Sequence, residues 1–174
     1  RRLLRVNFMI YTKIKEIYQK NKKRWFMSNN IKGSKLTVNS QYIKDLSFEN
    51  PNSPESLSNK DGLPQINVDI NVFAKPLTEK LYEVTLSING KATKKNLKIF
   101  EIELAYAGLF TLPDIDSKND IEKKIMLIEA PQLIFPYARS IVSSVTRDGG
   151  FMPLIIQPID FDLLYESRIK KETH

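Results

Sequence analysis

The side chains able to do chemistry are few, and the sequence removes most of the familiar kinds. It has no cysteine, and its one histidine is the last residue, His174. Thiol nucleophiles, thiolate zinc sites, iron–sulfur clusters and disulfide frameworks are thereby excluded, and imidazole acid–base chemistry has no internal group to use. Asp114, Asp116 and Asp120 hint at a calcium loop. A further oxygen donor, a glycine and a glutamate should then follow, where the chain has Lys118, Asn119 and Ile125. These aspartates read instead as turn and cap residues ahead of a helix. Asp160 and Asp162 invite a paired-carboxylate reading, but Asp160 is better placed to cap the last helix, with Asp162 in its first turn. Ser143-Ser144 has no base beside it, and Gly149-Gly150 follows a helix where a phosphate loop would open one. No catalytic constellation, metal site or cofactor site is expected, and the chain reads as a non-enzyme.

Two constellations suited to binding remain. Asp45 and Glu49 fall on one stretch of extended sequence and Glu101 and Glu103 on another, spaced so that each pair shares a strand face. Such carboxylates form either an ordinary solvated face or a docking patch for a basic partner. The second set is apolar: Val68, Ile70, Phe100, Phe110 and Phe135. Core is the usual place for such residues. A sheet with helices on one side, however, leaves its other face open, and an apolar open face would invite association or extended-peptide binding.

The elements that must position these residues follow from periodicity. Tyr42, Leu46 and Phe48 alternate with Ile43, Asp45, Ser47 and Glu49 as a first strand. A stretch rich in turn residues, Asn50 to Pro64, is long enough to be a crossover loop with its own role. Ile66, Val68, Ile70 and Val72 mark a second strand, and Tyr82, Val84, Leu86 and Ile88 a third. The next turn falls either at Asn89-Gly90 or at Lys94-Lys95-Asn96. In the fourth strand Phe100, Ile102, Leu104 and Tyr106 face one way, and Ile99, Glu101, Glu103 and Ala105 the other. From Asp120 the period becomes helical, through Ile125, Ile134, Ile141 and Val145, with Pro131 and Pro136 bound to disturb it. A short helix over Phe161–Lys171 ends the pattern. The fold class is α+β: a four-stranded antiparallel sheet with a long kinked helix and a short C-terminal helix packed on one side.

Charge is unevenly spread. The formal net charge is +7, yet residues 1–34 alone hold ten basic side chains and one acid. Residues 35–165 hold 14 bases and 17 acids, and 166–174 hold three and two. The chain therefore divides into a basic N-terminal extension (1–34), a mildly acidic domain (35–165) and a short tail (166–174). The extension, with Leu3, Leu4, Ile10, Ile14 and Ile17 among its bases, has the pattern of an amphipathic helix for an anionic surface or RNA, which makes a basic-tailed nucleic-acid or membrane-surface adaptor one reading. The other reading takes Met27 as the start and residues 1–26 as non-native. No stretch is apolar for the roughly 20 residues that a membrane-spanning helix needs, so stable membrane insertion is not expected.

Read in order, Tyr42-Ile-Lys-Asp-Leu-Ser-Phe-Glu-Asn-Pro51-Asn-Ser-Pro54, Leu81-Tyr-Glu-Val84, Ala107-Gly-Leu-Phe110, Ile134-Phe-Pro-Tyr-Ala-Arg139, Val145-Thr-Arg-Asp-Gly-Gly-Phe151 and Pro158-Ile-Asp-Phe161 resemble the bacterial protein-export chaperone family SecB. The resemblance spans roughly residues 39–165. It implies a cytoplasmic, ATP-independent holdase, a homotetramer built as a dimer of dimers. Such a protein keeps unfolded preproteins competent for export and passes them to the motor SecA. It also implies that the third turn lies near Lys94–Asn96. Asp45, Glu49 and Glu103 would belong to the surface that docks SecA, with Glu101 at a position where the family can carry an apolar residue. Val68 and Ile70 would lie in the client-binding groove beneath the crossover loop, in company with Phe100, Phe110 and Phe135. Ile102, Leu104 and Tyr106 would lie on the subunit interface. A SecB-like chaperone dedicated to an antitoxin is the nearest alternative, and nucleic acid is not an expected partner.

Overall fold

A computed structural model of the chain describes residues 36–58, 62–95, 97–112 and 119–172. The N-terminal extension, the aspartates at 114 and 116, Asn96 and His174 lie outside these residues. Four strands, β1 (Thr37–Glu49), β2 (Gln65–Pro76), β3 (Leu81–Lys94) and β4 (Leu97–Thr111), form one antiparallel sheet in the order β1-β4-β3-β2. The two edge strands are consecutive in sequence, so the connection from Asn50 to Pro64 crosses the end of the sheet. It contains one 3-10 turn, Glu55–Leu57. Helix α1 (Asn119–Lys124), a π-helical stretch (Ile125–Glu129) and helix α2 (Ala130–Asp148) follow, then helix α3 (Phe161–Glu172).

Alternation decides which face is covered. Val84, Leu86, Ile88 and Ala92 of β3 stand opposite Gly108, Tyr106, Leu104 and Phe100 of β4 and are buried beneath the helices. Burial of each large side chain there contributes about 1.5–3 kcal/mol. The intervening residues, Thr85, Ser87, Asn89 and Lys91 with Glu101 and Glu103, lie on the face that no helix covers. The open face is therefore polar and the apolar face is closed, the reverse of the apolar open face expected above. The physical reason is that the strands carry most of their apolar residues on the side that meets the helices, with Phe73 of β2, opposite Thr85, an exposed exception.

Two glycines mark close approaches on the closed face. A Cβ on Gly90 would sit 3.0 Å from Ile102 and 3.2 Å from Leu154, so the strand runs straight through Asn89-Gly90 and turns at Lys95, whose φ is 49°. A Cβ on Gly108 would meet the Phe110 ring at 2.6 Å and Ile134 at 3.1 Å. Proline takes its toll where expected but without breaking the helix. Pro131 has no N–H to give the carbonyl of Leu127, and the turn that contains Leu127 widens to π geometry. Pro136 is accommodated inside α2. Asp160 caps α3 as anticipated, its Oδ1 accepting from the amides of Asp162 at 3.0 Å and Leu163 at 3.1 Å.

Of three register shifts in the sheet, one of them between Val38 and Ser40, two modify the alternation at residues considered above. One extra residue, Lys44, sits between Ile43 and Asp45 on β1, so Tyr42 joins Asp45 on the open face while Ile43 stands on the closed face with Leu46 and Phe48. A second shift lies where Thr93 pairs with Lys98 and Ala92 with Phe100, leaving Ile99 as the extra residue. Ile99 is buried and does not share the solvent-facing side of Glu101.

Candidate functional site

Two regions combine residues from distant parts of the chain. The first is an apolar groove of about 630 Å³ at the end of the sheet where the crossover passes. One wall is the crossover itself, with Leu57, Leu63 and Pro64; the floor is Ile66, Ile99 and Phe100; the opposite wall is the segment after α2, Phe151 to Ile155. Leu63 is 84% exposed, Met152 79% and Ile155 63%. Large apolar side chains so exposed around one concavity are the mark of a binding surface.

Local bonds hold these walls. Asn52 Nδ2 donates to the carbonyl of Lys98 at 2.8 Å, and Ser56 Oγ donates to Asn50 Oδ1 at 2.6 Å, so the crossover is tied to β4 and to itself. Across the groove, Thr146 is fully buried in α2. Its Oγ1 donates to the carbonyl of Val142 at 2.9 Å and accepts from the Leu154 amide at 2.9 Å. The chain reverses through Gly150 at φ 91°, and the Phe151 amide donates to the carbonyl of Thr146 at 3.1 Å. Phe48, Phe100 and Phe151 pack as a triangle with ring centroids 5.8, 6.3 and 4.9 Å apart. Gly149 is what admits Phe48, since a Cβ there would lie 2.5 Å from its ring.

The second region is the acidic part of the open face. Glu49 stands directly opposite Glu101, Ser47 opposite Glu103 and Asp45 opposite Ala105, so all four carboxylates anticipated for docking occupy one surface across β1 and β4. Like charges placed directly opposite repel, and Lys98 relieves this corner: its Nζ lies 3.3 Å from Glu49 Oε2 and pairs with Glu101 as well. Hydrogen bonding from Lys98 holds the Glu101 carboxyl below the usual range, and the same contact raises Lys98. Asp69 of β2 extends the acidic row, facing Asn89, which faces Glu103. Farther along, Glu83 is already engaged: Lys44 Nζ and Tyr42 Oη both donate to it at 2.5 Å. Those bonds, Lys44 first, depress Glu83, while the bond to Glu83 and partial burial push the Tyr42 phenol up to about 12.

The apolar residues singled out from sequence are dispersed. Phe100 alone of the five lines the groove. Val68 and Ile70 are half-buried farther along β2, packed against the core. Phe110 is 0% exposed and Phe135 6%, both in the layer between sheet and helices, where Phe135 meets Phe161 edge-on at 5.7 Å. Ile102, Leu104 and Tyr106 face α2 and are 0%, 1% and 8% exposed within the single chain, so their side chains have almost no surface left for a second copy. The groove residues that sequence reading missed are Leu63, Ile66, Ile99 and the stretch from Phe151 to Ile155. The available signal was a run of apolar residues, Phe151, Met152, Leu154, Ile155 and Ile156, outside any period.

Among the described residues no group of His, Cys, Asp or Glu is arranged to hold a metal ion, and no helix is long and apolar enough to cross a membrane. The apolar concavity lies on the helix side of the sheet and the carboxylates on the other. Comparison with known proteins gives the family. Residues 29–172 match the family described as "Preprotein translocase subunit SecB". The protein-export protein SecB of Rhodopseudomonas palustris strain BisB5 is 47% identical over 137 residues, covering 79% of this chain and 85% of that one. The namesake protein of Rhodospirillum centenum is 46% identical over 134 residues, covering 77% and 79%. This chain belongs to the SecB family. Among solved structures, a SecB-like chaperone of Mycobacterium tuberculosis, in complex with a peptide from an antitoxin, superimposes with a TM-score of 0.57 at 15% identity. It covers 80% of this chain and 99% of that one, and shares the fold.

Proposed function

We propose that this chain is an ATP-independent holdase of protein export: it binds unfolded preproteins in the groove at the sheet end and yields them to the motor SecA, which docks on the open acidic face. The observation that carries this reading is the pairing of an exposed apolar groove with a carboxylate surface on the opposite side of the same sheet, β4 contributing to both. An unfolded client exposes apolar segments, each worth about 25 cal/mol per Å² buried. One groove of this size holds a short segment weakly, and several grooves in one assembly hold a long chain by avidity. A cytoplasmic homotetramer, a dimer of dimers, meets that requirement. Ile102, Leu104 and Tyr106 then influence subunit pairing through the helix they support. Carboxylates supply recognition that screens with salt, suited to a partner that must leave again.

Identity of 46–48% to proteins named for export, against 15% to the antitoxin-bound chaperone, favours export over service to a dedicated antitoxin. The test is replacement of Asp45 and Glu49 by alanine in the full chain. Affinity for SecA should fall about tenfold or more at low salt while affinity for an unfolded preprotein holds. SecA affinity equal to that of the unaltered chain would refute the docking assignment.

A further inference from the structure

Phe73 departs from the polar character of the open face. It is 59% exposed, and among the described strand residues no other large apolar side chain is so exposed on that side. The register sets it in a row across all four strands: Tyr42, Ala107, Thr85 and Phe73 stand opposite one another in turn. From β1, Tyr42 donates to Glu83 of β3, so its ring lies across β4. Ala107, directly opposite Tyr42, is 0% exposed although no helix lies on that side. The row is thus low in polarity from one edge of the sheet to the other. It borders the carboxylates: Asp45 shares the open side with Tyr42 across the bulge, and Asp69 precedes Phe73 by four residues on β2, about 13 Å. Beyond the row the sign of the charge changes, for Glu83 is held by Lys44 and Lys75 stands opposite it. Along the strands the open face therefore passes from carboxylates through an aromatic row to lysines. A large exposed aromatic beside a charged patch is the kind of residue that anchors an interface.

We propose that Phe73 is the apolar anchor of the docking face, and that the segment of the motor docking there sets one large apolar side chain against Phe73 and basic side chains over Asp45, Glu49 and Glu103. The inference rests on the acidic face being the docking face. The order of charges fixes how that segment lies, since its basic end is drawn to the carboxylates and repelled by Lys44 and Lys75. The carboxylates supply attraction that salt weakens, and Phe73 supplies a contact that salt leaves in place.

The experiment measures SecA affinity of the full chain, Phe73→Ser, Phe73→Leu and Asp45→Ala/Glu49→Ala at low and high salt, with preprotein affinity and oligomer mass of each. Phe73→Ser should weaken SecA binding about five- to tenfold at both salts, and Phe73→Leu should recover most of that loss. The loss in Asp45→Ala/Glu49→Ala should shrink as salt rises. Preprotein affinity and oligomer mass should hold in every variant. Unchanged SecA affinity in Phe73→Ser, beside a loss in the alanine variant, defeats the anchor alone. No loss in either variant defeats the docking face and the anchor together. A Phe73→Ser chain that loses preprotein affinity equally, or that forms a smaller oligomer, assigns Phe73 to the fold or to contact with a second copy and overturns the inference.

Discussion

The groove and the acidic face lie on opposite sides of one sheet and share β4, where they are one residue out of step. Phe48 and Phe100 turn toward the groove side and stack at 5.8 Å, while their sequence neighbours Glu49 and Glu101 stand opposite each other on the open side. A β-strand places successive side chains on opposite faces, so one sheet presents two surfaces of contrary chemistry less than a sheet thickness apart. The two differ in what holds them. The groove depends on buried bonds and ring packing drawn from three distant segments. The acidic surface needs only register between two strands and one lysine. Damage to the groove side should therefore spread into stability, whereas changes on the acidic side should remain local.

The largest effect expected on this comparison comes from beneath the groove. Phe110 is wholly buried, and Phe110→Ala should cost about 3–5 kcal/mol, read as a lowered midpoint in denaturant unfolding. Client affinity of the molecules that remain folded should hold, which separates this core residue from the groove that its sequence context suggested. Next comes Thr146→Val, which leaves the Leu154 amide without its acceptor at a cost of about 1–3 kcal/mol. Hydrogen exchange at Leu154 should quicken more than at amides of the sheet centre, because the bond serves the groove wall.

Sequence order made much of this visible, and the remainder was hidden for physical reasons. The alternation in β2, β3 and β4 marked the strands, and the helical period marked α2. Tyr42 and Ile99 went to the wrong faces because a bulge adds one residue without altering local alternation; only pairing with a neighbouring strand reveals it. Phe110 and Phe135 passed for groove residues because side-chain type does not tell a covered position from an open one. Phe151 to Ile155 escaped because they belong to no element, and Thr146, not a period, fixes their place. Asp45, Glu49, Glu101 and Glu103 could be grouped from sequence because adjacency on a strand face is a matter of parity. The part Lys98 plays between Glu49 and Glu101 needed the β1–β4 register.

On the acidic side the effects should be smaller. Lys98→Gln frees Glu49 and Glu101 from their shared cation and should tighten a basic partner about twofold at low salt, with little change in stability. A weaker partner would mean that Lys98 itself makes contact. At the far end of that face, Tyr42 should ionise near pH 12, about two units above an ordinary phenol, as seen by subtracting the ultraviolet titration of Tyr42→Phe. Because Tyr42 keeps its proton longer when folded, its contribution to stability is complete below about pH 10 and is lost as pH rises toward 12. Glu83 behaves oppositely. Its depressed carboxyl contributes above the ordinary glutamate range and loses that contribution as acid titrates it, so an acid limb should soften in Tyr42→Phe.

The most direct test of the central claim is the refolding rate of a denatured preprotein in the presence of the full chain. The unaltered chain should slow refolding, Asp45→Ala/Glu49→Ala should slow it equally, and Leu63→Ser/Met152→Ser should lose about a hundredfold in effective affinity, since each side chain gives up about 1.5 kcal/mol or more of burial. A serine variant that delays refolding as well as the unaltered chain, or an alanine variant that fails to delay it, would contradict the division of labour between the two faces.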